Sequence, residues 1–189
     1  LLFGAEYTIE TVPNVHLQNA KAYVSNPDAI LSPSTEQQIN LLLDSLQTKT
    51  SAEIAVVAVN SIGDADIKQF ATALFEHWGI GKREKDNGLL ILFVLDQRKI
   101  TFETGYGLEG ILPDAICKRI QTRYMLPEFK TGNYDKGMLQ GLNAIHHRLS
   151  TPEAQDELWV QSQTAQEDWG KVLQYYAITS LLFSMILLF

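Results

Sequence analysis

Apolar residues recur at helical spacing in two stretches of the first half of the chain. Ser32 offers an N-cap and Pro33 a first helical residue, so the first helix is expected to run to about Lys49. Asp66 can cap the second helix, and Gly79 can end it. The apolar stripes are Ile39, Leu42, Leu43 and Leu46 in the first helix, and Ile67, Phe70, Ala71, Leu74, Phe75 and Trp78 in the second. Each stripe predicts one face packed on a core.

Three short runs have the composition of β-strands. Residues 53–59 and 88–95 are largely or wholly apolar, as in strands covered on both faces, whereas residues 99–104 alternate between polar and apolar. Because only residues 96–98 separate the last two runs, an antiparallel hairpin is expected. Further helices are predicted at 114–124 and 134–149. Helices that alternate with buried strands predict an α/β sandwich with a mixed sheet.

The two ends of the chain differ from this middle part. Residues 172–189 carry no charge over eighteen positions, which nearly suffices to cross a hydrocarbon core, and Trp169, Tyr175 and Tyr176 at the leading edge fit an interfacial aromatic belt. We expect a transmembrane helix there, with a buried core helix as the alternative. The opening LLFGA is similar to the end of a signal peptide. Residues 6–27 are polar and interrupted by prolines, which predicts an extended lead-in rather than a packed element.

Charge and cysteine content exclude some classes of function. The net charge is −7, and five of the 22 acidic residues but only one of the 15 basic residues lie after position 150. Without a basic stripe, nucleic-acid binding is not expected. The single cysteine, Cys117, cannot form an internal disulfide and is expected to be a small core residue. The acid-rich stretch 151–171 predicts a polar linker.

Gly105, Gly107 and Gly110 have the G-x-G-x-x-G spacing of dinucleotide-binding loops. The context differs from that of a nucleotide site, because Glu109 would repel phosphate and the next helix is expected only from Asp114. The placement of an acid within the loop favours a cation instead.

Two loops carry the residues with the clearest potential for ion binding. The first, residues 79–88, has Asp86 and Asn87 directly before a strand, and the second, residues 105–114, contains Glu109 and Asp114. If the hairpin turns at 96–98, Asp86 and Glu109 become neighbours. Carboxylate and amide oxygens are ligands for Ca²⁺ or Mg²⁺. The alternative is that these residues form a common turn, a solvated acid and a helix cap.

Other motifs add little. His146 and His147 are adjacent on a helix and point about 100° apart, so they cannot chelate one ion together. No G-x-S-x-G elbow, P-loop or C-x-x-C pair occurs. The basic run Lys82, Arg83 and Lys85 is either a solvated loop or a contact for an anionic ligand.

Several motifs occur together in an order that resembles the TPM-domain family. They are WGIG at 78–81, DNG at 86–88, RK at 98–99, ETGYGLEG at 103–110, LPD at 112–114 and PEFKTGNYDKG at 127–137. The resemblance covers roughly residues 24–150 and implies a three-layer α/β/α sandwich. It also implies a calcium site, with magnesium as a possible substitute, formed by Asp86, Asn87, Glu109 and Asp114, with Asp28 as a further ligand. Glu53 departs from the smaller or amide side chains usual at its position and could add a charge near this site.

The resemblance carries expectations about location and function. Bacterial members of the family are often exported and carry a transmembrane segment after the domain, and plant relatives in the thylakoid lumen are linked to photosystem II assembly and repair. The division expected here is a signal remnant and lead-in at 1–23, a TPM domain at 24–150, a linker at 151–171 and a transmembrane helix at 172–189. The expected function is that of a membrane-anchored extracytoplasmic (periplasmic) binding module with a protein partner. Because acid phosphatase activity is attributed to some members, a metal-dependent phosphatase is the alternative, and whether the chain is an enzyme stays open.

Overall fold

A four-stranded mixed sheet forms the centre of the protein in this computed structural model, which describes residues 6–81, 85–154 and 174. The strands lie in the order β1 (Val24–Ser25), β2 (Glu53–Val59), β3 (Gly88–Val94) and β4 (Lys99–Thr104). β1, β2 and β3 are parallel, whereas β3 and β4 form the antiparallel hairpin expected from the sequence. The α/β class and the small mixed sheet are therefore confirmed.

Strand β1 and the segment before it correct the expectation of an unpacked lead-in. Val12 and Tyr23 are buried, and residues Val15–Leu17 form a short 3₁₀ helix. The Tyr23 carbonyl accepts a hydrogen bond from Val56 N–H of β2 at 2.9 Å. A strand of two residues is too short to show alternation in the sequence, and its pairing depends on an edge that lies some thirty residues further along the chain.

The helices are α1 (Pro33–Thr50), α2 (Ile67–Trp78), α3 (Asp114–Ile120), α4 (Leu126–Phe129) and α5 (Tyr134–Leu149). The predicted caps are confirmed: the Ser32 hydroxyl accepts from Thr35 N–H, and the Asp66 carboxylate accepts two backbone N–H groups of the first turn of α2. Gly79 ends α2 with a φ of +63°.

The sheet is covered on both faces. On one face, α2 packs its apolar stripe against side chains such as Val57, Leu90 and Leu92. On the other face, α1, α3 and α5 cover side chains such as Val56 and Ile91. All seven residues of β3 are buried, as expected for a central strand between two helical layers.

A π-helical turn, Gln121–Met125, joins α3 to α4, so the helix expected to end at residue 124 continues to Phe129. Proline at position 127 explains the irregular turn. Its ring has no N–H to bond the carbonyl four residues earlier and would clash with it in a regular helix.

Ala154 belongs to the same core as α1 and α5, so the packed structure extends past the point where the polar linker was expected to begin. Within the part of the chain that the structure describes, no helix is long and apolar enough to cross a membrane. The segment 172–189, expected to form such a helix, lies outside the described residues except for Gln174.

Candidate functional site

The hairpin brings the two candidate loops together at one end of the sheet. Gly105 N–H donates to the Gly88 carbonyl at 2.9 Å, which extends the ladder between β3 and β4 by one pair. Beyond it, Gly107 N–H donates to the Asp86 carbonyl at 2.9 Å, and Tyr106 N–H donates to Asp86 Oδ2 at 3.1 Å. We refer to residues 79–88 and 105–114 together as the loop pair.

Two of the glycines are required for the close packing of the loop pair. A Cβ atom built on Gly105 would lie 2.2 Å from the Asp86 carbonyl oxygen, and one on Gly107 would lie 2.0 Å from the Lys85 carbonyl oxygen. Both distances are far below van der Waals contact, and both neighbours are backbone atoms. The G-x-G spacing in this chain therefore allows one loop to lie against the other, which is a structural role.

Asp86 has an unusual backbone conformation. Its φ is +48°, in the left-handed region that few residues other than glycine, asparagine and aspartate adopt readily. The hydrogen bonds from Tyr106 and Gly107 hold it there, while the residue itself stays exposed. The loop pair thus presents a fixed carboxylate to solvent.

Asn87 lies beneath this carboxylate in the protein interior. It is only 1% exposed, and its Nδ2 donates to the Ser51 carbonyl at 2.8 Å and to Ser51 Oγ at 3.2 Å. Ser51 is the left-handed C-cap of α1. Asn87 therefore connects the start of β3 to the end of α1. The sequence predicted an ion ligand at this position and gave no sign of this structural contact.

Glu53, at the start of β2, anchors the first loop from the neighbouring strand. Its Oε2 accepts a hydrogen bond from Gly81 N–H at 2.9 Å. Gly81 has a φ of +98°, and a Cβ atom there would lie 2.7 Å from Gly88 N. Glu53, which was expected to add a charge near the site, therefore bonds the backbone of the first loop directly.

The second loop separates its two acids. Glu109 is exposed at the end of a 3₁₀ turn, where its N–H donates to the Tyr106 carbonyl at 3.1 Å. Tyr106 is the residue whose own N–H donates to Asp86. Asp114 is the first residue of α3 and lines a groove along the outer edge of β4, together with Lys68 and Lys118. Asp114 therefore shares a groove with basic residues at the end of the second loop.

Asp28 lies at the opposite end of the sheet. Its Oδ2 accepts a hydrogen bond at 2.7 Å from the N–H of Asn60, the residue that directly follows β2. Asp86 lies at the other end, because it precedes β3, whose first residue pairs with the first residue of β2. Seven strand residues at about 3.3 Å each separate the two ends by roughly 20 Å. Tyr7 also donates to Asp28 at 3.2 Å, and burial, followed by the Asp28 charge, raises the pKa of Tyr7. Asp28 thus joins the lead-in to the sheet.

The five residues expected as ligands are therefore divided among several places. Within the loop pair, Asp86 and Glu109 are exposed, Asn87 is buried, and Asp114 lies at the end of the second loop, in the groove along β4. Asp28 lies at the other end of the sheet. Within residues 6–81 and 85–154, no three histidine, cysteine or acidic side chains are arranged to hold a metal ion.

The cysteine is buried, and of the two adjacent histidines His146 is half-buried whereas His147 is exposed. Cys117 is buried, as expected, and its thiol lies 3.3 Å from the Leu112 carbonyl. Burial, with a smaller contribution from Asp114, raises the pKa of Cys117 to about 11. Burial also lowers the pKa of His146, and the charges of Lys49 and His147 add to the effect.

Comparison with known proteins identifies related domains. The family model described as the TPM domain matches residues 24–148. The solution structure of the N-terminal domain of a P. gingivalis protein is 41% identical, with a TM-score of 0.72 over 77% of this chain and 92% of that one. The BA42 protein of Bizionia argentinensis is 20% identical, with a TM-score of 0.57 over 67% of this chain and 86% of its own.

The N-terminal domain of the cg2496 protein from Corynebacterium glutamicum is 15% identical, with a TM-score of 0.56 over 77% of this chain and 91% of its own. The similarity to these last two domains concerns the fold alone. No curated protein matches the sequence.

Proposed function

This chain belongs to the TPM domain family, and on that premise we propose that it is a binding module whose loop pair takes up a divalent cation and contacts a protein partner. Calcium is the preferred ion, because exposed carboxylate and carbonyl oxygens on loops suit its variable coordination better than the octahedral geometry of magnesium. The observation that carries the proposal is Asp86, an exposed carboxylate on a left-handed residue that the backbone N–H groups of Tyr106 and Gly107 hold in place.

The geometry limits how such an ion would be held. Among the described acids of the loop pair, Asp86 lies at the contact between the two loops, and Glu109 bonds Tyr106 of that contact through its backbone N–H, so we expect the remaining ligands to be carbonyl oxygens and water. Calcium sites with few charged ligands are weak, with dissociation constants of about 10⁻⁴ to 10⁻³ M. We accordingly leave Asn87, Asp114 and Asp28 out of the proposed ligand set, since each contacts another part of the fold.

A calcium titration of the full chain in detergent solution tests the proposal. An ion that binds only the folded state stabilises it by about 1.4 kcal/mol at tenfold excess over its dissociation constant. The melting temperature should therefore rise by about 3 to 6 °C, given about 2 to 4 °C per kcal/mol for a domain of this size. Magnesium should give a smaller rise.

Asp86→Asn separates charge from structure in this experiment. Asparagine tolerates the positive φ and keeps an oxygen for Tyr106 N–H, so the loop pair should stay folded while losing the charge. Both Asp86→Asn and Glu109→Gln should abolish most of the calcium-dependent shift. Asp64→Asn, the same change at an exposed position outside the loop pair, should leave it intact. If millimolar calcium shifts neither the unaltered chain nor the control, the ion-binding part of the proposal is wrong.

The membrane attachment is a separate part of the proposal. Its support is the uncharged sequence of 172–189. The proposed location of the TPM domain is the extracytoplasmic side of a cell membrane, and the proposed partner is a membrane protein under assembly or repair. Full-length protein should appear in the membrane fraction of cells and be released by detergent but not by salt. Release by salt alone would contradict an integral anchor.

The same preparation decides between a binding module and the alternative of a metal-dependent phosphatase. A binding module should not hydrolyse phosphomonoesters above background, with or without calcium. Turnover that survives purification and disappears in Asp86→Asn would favour the enzyme.

A further inference from the structure

A pocket of about 190 Å³ lies where strand β1 stops short beside β2. β1 pairs with β2 only from Val56 onward, so the first three residues of β2 have no strand on that side. The lead-in, residues 14–22, and the end of α2 enclose the space that a longer β1 would have filled. The pocket is thus built into the topology, and it is separate from the exposed carboxylate of the loop pair.

Two buried polar atoms in the lining have no hydrogen-bond partner among the described residues. Ser25 is 1% exposed, and its Oγ is unpaired. Gln47 Oε1, on α1, is likewise inaccessible and unpaired. Native proteins leave very few buried polar atoms unsatisfied. Two such atoms in the lining of one pocket indicate that a polar occupant completes them.

The remaining lining determines the charge of that occupant. Glu53 contributes a carboxylate, of which Oε2 already accepts from Gly81 N–H, and the described lining residues include no lysine or arginine. An anion would meet repulsion and find no counter-charge. A cation would gain a charge-assisted hydrogen bond, which is stronger than one between neutral groups.

The aromatic side chains of the lining also favour a positively charged occupant. Tyr23 and Trp78 both line the pocket, and a cation close to the face of such a ring is attracted by its quadrupole, tryptophan most strongly. The hydroxyl of Tyr23 donates to Asp44, which leaves the ring rather than the oxygen for an occupant. His16 lies 5.4 Å from Tyr23, ring centre to ring centre, and its Nδ1 is engaged with the Ala22 carbonyl.

We infer that this pocket binds a small organic cation carrying several N–H donors, and that a guanidinium group fits it better than an ammonium. The planar guanidinium has five donors, a number that matches the several acceptors of the lining, Ser25 Oγ, Gln47 Oε1 and the Glu53 carboxylate, and it stacks on aromatic rings. An ammonium has three donors and no flat face. A free small molecule and an arginine side chain both carry this group, and the chemistry of recognition is the same for both.

A titration followed by NMR of the full chain in detergent micelles tests the inference. The probes are butylguanidinium, butylammonium, tetramethylammonium, which lacks N–H donors, and butyrate, which is an anion. Butylguanidinium should give saturable shifts of the Trp78 indole N–H and of the Ser25 and Gln47 signals, with butylammonium weaker. An acetylated arginine amide and free butylguanidinium, compared at equal concentration, distinguish a side chain from a free molecule as the better ligand.

Three variants connect the shifts to the named atoms. Glu53→Gln keeps an acceptor for Gly81 N–H but removes the charge, so it should weaken binding about tenfold or more. Gln47→Leu should also weaken binding, yet raise the melting temperature, because it removes a buried acceptor without a partner. Gln37→Leu, the same change at an exposed position of the same helix, should leave binding unaltered.

The results that overturn the inference are equally definite. No shift at about 10 mM butylguanidinium, well above the dissociation constant of even a millimolar ligand, would mean that water alone satisfies Ser25 and Gln47. Equal shifts with tetramethylammonium or butyrate would mean an unselective apolar cavity. If Gln47→Leu does not fold, Ser25→Ala takes its place with the same expected loss of binding.

Discussion

Replacing Gly107 with alanine should destabilise the protein by about 3 kcal/mol, because the new methyl group cannot fit between the two loops. Its Cβ would lie 2.0 Å from the Lys85 carbonyl oxygen, and real Cβ contacts of that length do not occur. Since the obstacle is backbone, no side chain can move aside, and the second loop must separate from the first.

The magnitude follows from what this separation breaks. The hydrogen bonds from Gly107 N–H and Tyr106 N–H to Asp86 are lost, at about 1 kcal/mol each. Residual overpacking of the loop adds about 1 kcal/mol or more. The φ of Gly107 is not positive, so alanine suits its backbone conformation, and the entire cost is attributable to the close approach.

Gly132→Ala is the matched control. Gly132 has a φ of +80° but nothing within 4 Å of a Cβ atom, so the substitution there costs only the backbone strain of about 1 kcal/mol. Urea unfolding followed by circular dichroism gives both free energies of unfolding by linear extrapolation. If Gly107→Ala costs no more than Gly132→Ala, the loops are not packed as described, and the structural role given to the glycine spacing is refuted.

Three further predictions concern other parts of the fold. Asp66→Ala should cost about 1 kcal/mol by removing the cap of α2, whereas Asp64→Ala, at an exposed residue with no described hydrogen bond, should cost little; equal losses in urea unfolding would contradict the cap. Cys117, with its pKa raised to about 11, should react with iodoacetamide at about pH 8 only as fast as the protein unfolds, and labelling at the rate of a free thiol would show that it is accessible. Because the pKa of His146 is lowered in the folded state, the unfolded chain binds the proton more readily. Stability should therefore fall as the pH drops from about 7.5 to about 5.5. His146→Gln should flatten this slope in thermal melts while His147→Gln keeps it, and an unchanged slope in the first variant would exclude His146 as its source.

The structure divides the candidate site in a way that local sequence could not. The contact between the loops of Asp86 and Glu109 follows from one hairpin, which the sequence predicts, although its turn, residues 95–98, is one residue longer than expected. Asp28 is different, because its position depends on β1, which the sequence did not indicate. Since β1 and β2 are parallel, the residues after them share one end of the sheet, and Asp86, which precedes β3, lies at the other.

The pocket beside β1 is also a product of tertiary structure. Ser25 and Gln47 belong to different elements, and neither belongs to a recognisable motif. Nothing in their local sequence distinguishes them from other serines and glutamines. They become notable only because the short β1 leaves the start of β2 uncovered.

The sequence by itself determined the elements whose signals are local. Strands β2 and β4, helix α5 and the caps at Ser32 and Asp66 have the predicted bounds or residues, because each depends on periodicity or on hydrogen bonds within a few positions. Tertiary structure alone decided the partners of the lead-in, the burial of Ala154 and the role of Gly107. These depend on atoms brought together from distant positions, and no pattern along the chain encodes a distance between two loops.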